Sequence, residues 1–215
     1  MIKKLTALLF VALFSLNATA GGLESLELFV KTVKTGRADF TQVVTPPAKD
    51  GQVPRIKTST GTFEFSRPGQ FKFVYKKPFE QTIVADGQTL WLYDVDLNQV
   101  TARKQAQVLN ATPAALIASA SDLKALQADF ALTAEPEKDG LKDGTEWVRA
   151  TPKTKDSQVQ SVRIGFRAGA LAVLEILDSF GQNSRMNFSA FKANVPLDAA
   201  TFDFKPPAGA DVVRQ

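Results

Sequence analysis

The sequence predicts a mainly β protein, a single large antiparallel sheet of ten or eleven strands that curls and leaves a concave face for helices to cover. Three observations carry this. Between Gly61 and Asp96, apolar and polar residues alternate through Phe63, Phe65 and Arg67 and again through Phe71, Phe73 and Tyr75, the period-two signature of strands with one buried face. Asp86-Gly87, Asp139-Gly140, Asp143-Gly144, Gly169 and Gly181 punctuate the strand-like runs with turn formers. Helical periodicity is confined to the N-terminal region and to one segment in the middle of the chain. A sheet of this size curls, because strongly twisted open sheets rarely exceed ~10 strands.

Residues 1–20 stand apart from the fold. Lys3 and Lys4, an apolar run from Leu5 to Leu16 and the small residues Ala18-Thr19-Ala20 form the pattern of a cleaved export signal, with cleavage expected after Ala20. The run is too short for a transmembrane helix, which needs about 20 apolar residues. One domain is expected over 21–215. Its first element, residues 22–34, is an amphipathic helix with Leu23, Leu26, Val30 and Val33 on one stripe and Gly36 as its stop. A strand from Ala38 to Val44 and a turn-rich loop from Thr45 to Arg55 follow. The two strands of the alternating block join around Pro68-Gly69, and Pro78 ends the second. Gln81 to Ala85 and Thr89 to Tyr93 form a hairpin around Asp86-Gly87, and Gln99 to Ala102 continues the meander.

At Thr112-Pro113 the pattern turns helical, with Thr as N-cap and Pro at the first helical position. Ala114 to Ala118 and Asp122 to Gln127 are the helical pieces. Strands return at Asp129 to Glu135, Glu146 to Ala150, Val159 to Phe166, Ala170 to Leu177 and Ser184 to Lys192. Thr201 to Val212 is expected as an edge strand closed by two prolines. The stripe of residues 23–33 and the apolar segment 114–118 are the natural covers for the concave face.

Composition removes most catalytic chemistry. The chain has no histidine and no cysteine, so the usual zinc and copper ligands, His-based triads and Cys-His dyads are missing, and there is no disulfide framework. GxSxG, Walker and GxGxxG motifs are absent as well. Carboxylates are plentiful, but no spacing singles out a pair. The expectation is therefore not an enzyme, with no catalytic residue, metal or cofactor. Removing Lys3 and Lys4 takes the formal charge from +4 to +2, too mild for a nucleic-acid partner. With no cysteine after the apolar run to carry a lipid, the processed chain is expected free in solution.

Arg67 shares a strand face with Phe63 and Phe65. A cation on that face needs partners, since a buried charge is costly alone. Spacing by itself favours a simpler reading, in which Arg67 ends its strand beside Pro68-Gly69 and escapes to solvent.

Five motifs in order then point to a family. Ala38-Asp39-Phe40-Thr41-Gln42, the Arg67-Pro68 turn, ADGQTLWLY (Ala85 to Tyr93), TPAALI (Thr112 to Ile117) and FDFKPPAGADV (Phe202 to Val212) resemble the LolA family of periplasmic lipoprotein carriers, over the length of the processed chain. The resemblance implies an incomplete, open antiparallel β-barrel of about 11 strands with a lid of short helices. It reverses the reading of Arg67. The matching arginine reaches the lid and bonds backbone carbonyls, which would here lie near Val30 and at Ile117-Ala118. A guanidinium with five donors suits several orphan carbonyls, and lysine does not. Phe71 matches the residue that meets the inner-membrane release complex, with plain core packing as its alternative. The lining of the acyl-chain cavity is expected from Leu26, Phe40, Phe63, Phe65, Phe73, Trp91 and Leu116.

The implied function is a monomeric periplasmic carrier of triacylated lipoprotein cargo. It takes cargo from an ATP-driven, LolCDE-like release complex in the inner membrane and gives it to a LolB-like outer-membrane receptor. Exposing three acyl chains to water would cost on the order of 30 kcal/mol at ~0.8 kcal/mol per methylene, so the carrier must enclose them. A lipid- or lipoprotein-binding sensor domain on the same open barrel is the alternative reading.

Overall fold

The computed structural model describes residues 21–48, 53–108, 117–118, 120, 122–136, 143–154 and 157–215. The expected signal, the helix start at Thr112-Pro113 and the Asp139-Gly140 turn lie outside them. Helix α1 (Gly22–Thr32) leads into strands β1 (Thr35–Thr45), β2 (Lys57–Ser66), β3 (Gln70–Lys77), β4 (Gln81–Ala85), β5 (Thr89–Asp94) and β6 (Gln99–Lys104). Two short helices follow, α2 (Gln105–Val108) and α3 (Leu123–Asp129). The chain then forms β7 (Phe130–Glu135), β8 (Glu146–Pro152), β9 (Val159–Arg167), β10 (Ala170–Asp178), β11 (Asn183–Ala193) and β12 (Asp211–Arg214).

All twelve strands join one sheet in the order β12-β6-β5-β4-β3-β2-β1-β11-β10-β9-β8-β7. The end strands β12 and β7 do not pair, so the barrel is open. Strand β1 is the keystone, pairing antiparallel with both β2 and β11. The hairpin meanders on either side make two half-barrels. Their inward side chains meet in one core, where Phe63, Phe65, Phe71, Ile164, Phe166, Leu171 and Leu174 are essentially inaccessible.

The C-terminal segment departs from expectation. Residues Thr201 to Val212 are not one strand. Ala199–Phe202 form a 3-10 turn whose Ala200 N–H donates to the Asp198 carboxylate at 2.9 Å. Pro206 and Pro207 have no N–H for a ladder, and pairing resumes only after Gly209. Strand β12 then runs parallel to β6, the one parallel pair among the described residues. This short piece brings the count to twelve.

Helix α1 ends at Thr32, earlier than expected, and Gly36 is not its stop. The Val33 N–H caps Phe29 O at 2.9 Å, and Gly36 lies inside β1. A Cβ there would stand 2.4 Å from Cε1 of Phe65, so the position is glycine because a core ring packs flat against the backbone. Leu26, Phe29 and Val30 turn inward, at most 2 % exposed, and each buried side chain of this size contributes roughly 1.5–3 kcal/mol. They lay α1 over β7, β8 and β9 and against α3. The Ser25 hydroxyl donates to the Glu146 carboxylate of β8 and ties the first turn down.

Candidate functional site: the concave face and its latch

Arg67 stands in the β2–β3 turn and points into the space between α1 and the helical residues Ile117 and Ala118. Its Nε and Nη2 donate to Ile117 O at 3.1 and 2.5 Å. Nη1 lies 3.2 Å from both Phe29 O and Val30 O and also donates to Val33 O. The guanidinium sits 5.0 Å from the Phe29 ring centroid and 5.4 Å from that of Phe65, within cation–π range. No carboxylate pairs with it among the described residues. Burial pushes the Arg67 pKa down to about 10, which leaves the group charged at neutral pH.

Helix geometry supplies the partners. The carbonyls that close an α-helix lack a full set of partners inside it: Val30 and Val33 belong to the closing turn of α1, and Phe29 O, already met by the Val33 N–H, has a second lone pair to offer. Positive charge is also favoured at a helix C-terminus. The neighbouring backbone repeats the attachment. Arg67 N–H donates to Lys34 O at 2.8 Å and Gly69 N–H to Ala118 O at 2.9 Å. Thus Ala118, expected among the arginine's acceptors, is held by the Gly69 amide, while Phe29 and Val33 join the set unforeseen. The buried Gln105 side chain holds the turn from behind, donating to Gly69 O at 2.7 Å and accepting from Gly87 N–H at 2.9 Å.

An apolar cavity of about 270 Å³ opens on the same concave face, walled by Phe71, Phe73, Ile83, Leu90, Leu174 and Met186 among others. Of the expected lining residues, Phe73 borders this space. Leu26, Phe40, Phe63 and Phe65 are buried in the core that it adjoins. Phe63 stacks on Phe73 with centroids 4.4 Å apart. Leu116 lies outside the described residues. Phe71 is only 2 % exposed and borders the cavity, so it presents no outer surface to a partner in this state.

Trp91 corrects the expectation. Leu90 and Leu92 on either side of it face the cavity, so strand alternation turns Trp91 to the outer face. There its Nε1 donates to Asp86 Oδ2 at 2.8 Å, and Phe204 of the C-terminal segment lies 5.5 Å from its ring. Sequence reasoning could not see that the C-terminal segment covers this face. It also missed Phe29, whose ring meets Phe65, Phe166 and Phe191, although its spacing from Leu26 signalled the position. The strands β9 to β11 were expected, but Ile164, Phe166, Leu174 and Met186 were not named among the interior residues they supply.

On the outer face of the other half-barrel lies an ionic ladder. Arg163 pairs with Glu135 at 2.5 Å and with Glu175, Arg149 with Glu135, and Arg185 with Glu175. The Arg163 guanidinium lies 4.3 Å from the Trp147 ring centroid. Burial raises the Glu135 carboxyl, but hydrogen bonds and charge from Arg163 and Arg149 outweigh it and hold the group below its usual range. Among the described residues no group of three or more acidic side chains gathers as a metal site, and no helix is long and apolar enough to cross a membrane.

Comparison with known proteins identifies the family and the fold. Residues 31–205 match the family described as outer membrane lipoprotein carrier protein LolA. An outer-membrane lipoprotein carrier protein of Albidiferax ferrireducens is 68 % identical, covering 99 % of this chain and all of its own. One from Methylibium petroleiphilum is 52 % identical over 92 % of each chain. A solved structure of an uncharacterized conserved protein from Thermus thermophilus shares the fold, with a TM-score of 0.54 and 15 % identity over 90 % of this chain and 97 % of that one.

Proposed function

Since this chain belongs to the LolA family of outer-membrane lipoprotein carriers, we propose that it works in the periplasm, accepting triacylated lipoproteins from an ATP-driven inner-membrane release complex and passing them to an outer-membrane receptor. The observation that carries this reading is the pairing of an apolar concave face with a lid held by one arginine. Sites for drug-sized ligands occupy about 300–1,000 Å³, and three acyl chains need far more than the space of about 270 Å³ present here. Cargo entry therefore requires α1 and the Ile117 segment to lift.

The latch suits such a movement. Its acceptors are carbonyls that water can satisfy once the lid opens, so opening strands no buried charge partner. Closing restores the bonds and works against cargo retention, keeping binding weak enough to reverse. The lid thus acts as a two-state element whose balance cargo shifts. No nucleotide motif is present in the sequence, and the direction of transfer comes from the release complex and from the receptor's higher affinity.

The test uses spheroplasts making a labelled triacylated lipoprotein, incubated with purified residues 21–215. A one-to-one soluble complex is expected. A labelled lipoprotein that stays with the membrane while the added protein is folded would refute the carrier reading.

A further inference from the structure

Resting on the carrier reading, we propose that the cavity mouth bears a polar collar, made of the Tyr75 hydroxyl and the Gln42 amide with the Ser184 hydroxyl bracing the amide, that holds the ester and amide linkages joining acyl chains to the lipoprotein's first residue. The sheet register shows where polarity begins. Across β1 to β5 the inward side chains form rows. The row beside the latch is Gly36, Phe65, Phe71, Ala85 and Leu90, and the next is Ala38, Phe63, Phe73, Ile83 and Leu92. Both are wholly apolar. The third row is Phe40, Gly61, Tyr75, Gln81 and Asp94, and Gln42 with Ser59 follows.

Two spaces meet at this boundary. Inside is the apolar cavity, and outside is an open hollow of about 500 Å³ with Ser59, Gln81 and Asp94 in its wall. Gln42 and Tyr75 are the two side chains that border both. Their hydrogen-bonding capacity is unspent. Gln42 Nε2 donates to Ser184 Oγ at 2.7 Å, leaving its second N–H and its carbonyl oxygen free among the described residues. The Tyr75 hydroxyl has no partner among them either. Burial pushes the Tyr75 phenol up to about 12, so it stays a proton donor. Half-buried polar groups left unmatched are unfavourable, and a ligand that meets them gains accordingly.

The unmet groups suit an acyl linkage. Ester carbonyls only accept, and the Tyr75 hydroxyl and the second Gln42 N–H can donate to them. An amide N–H donates, and the Gln42 oxygen accepts. Acyl chains would fill the two apolar rows, the linkages would sit at the third, and the polypeptide would leave through the open hollow. Phe40 positions the phenol. Its ring lies edge-on to Tyr75 at 5.0 Å, crossing Gly61, where a Cβ would stand 2.7 Å from Phe40 Cζ.

Binding of a synthetic triacylated cysteinyl peptide, with two ester linkages and one amide, is measured by calorimetry beside an analogue with ethers in place of the esters. Tyr75→Phe and Gln42→Leu are each expected to weaken the ester probe roughly 3–10-fold, the worth of one hydrogen bond, while Tyr75→Phe leaves the ether probe within about twofold. Equal loss for both probes in Tyr75→Phe, or no loss for either, would overturn the collar while the carrier reading stands. Failure of the folded, unsubstituted protein to bind either probe would overturn both.

Discussion

Two arginines, one half-buried and one buried, hold this molecule together in opposite ways. Arg67, on the inner face, is bound by backbone carbonyls of two helical segments and by aromatic faces. Arg163, on the outer face, is bound by the carboxylates of Glu135 and Glu175 and lies over Trp147. Carbonyls at a helix end accept water as readily as a guanidinium, so the first attachment can be released. Removing a partner from a desolvated ion pair strands the other charge, so the second cannot. One half of the barrel is thereby a girder, and the lid on its concave face is a latch.

The largest effect that tests this contrast is expected at the girder. Arg163→Met should lower stability to denaturant by about 2–4 kcal/mol, since Glu135 and Glu175 would keep only their half-exposed partners Arg149 and Arg185. Cargo transfer by the surviving folded protein should be normal. Next comes the latch. Arg67→Leu should lose only about 1–2 kcal/mol of stability but slow handover to receptor vesicles at least about tenfold by leaving cargo in an unopposed cavity. Arg67→Lys should not restore handover, because a point charge cannot reach both helical segments.

Acid separates the two more gently. The folded pKa of Glu135 lies below its ordinary value, so the girder's contribution is present above the unfolded carboxylate range and is lost as pH falls through the folded value. Arg67 contributes nothing to that loss, because its acceptors do not titrate there. Unfolding curves between pH 6 and roughly pH 3 should therefore keep their acid slope in Arg67→Leu and lose part of it in Glu135→Gln. The smallest effect is expected at Arg37, whose bridge to Glu64 is 55 % exposed on the arginine side. Arg37→Ala should change stability by no more than about 0.5 kcal/mol, and a larger change would show that exposed pairs on this sheet matter as buried ones do.

Much of the architecture was legible because it depends on local period. Phe63, Phe65, Phe71 and Phe73 alternate, and all four face inward. Leu26 and Val30 mark the covering face of α1. The errors fall where a distant segment decides the outcome. Trp91 lies in a good strand, but which face of that strand is the cavity depends on the register of β4 and β5, and its cover, Phe204, comes from more than a hundred residues away. Gly36 resembles a helix stop locally and is a glycine because Phe65 lies against it. The stretch from Thr201 to Val212 has strand-like composition, yet Pro206 and Pro207 and the capped turn at Asp198 postpone pairing until Asp211.

The same division runs through the latch. Side-chain alternation places Arg67 on the phenylalanine face, and amphipathic spacing makes α1 a cover, since both follow from the 2.0 and 3.6 residue periods of the backbone. Neither period carries information about distance between segments. That Phe29, Val30, Val33 and Ile117 present their carbonyls to one guanidinium, that Arg163 on β9 finds carboxylates on β7 and β10, and that Gln42 and Tyr75 share a boundary are consequences of strand order and register. Those depend on the packing of the whole core, where each contact is possible only once the others have formed.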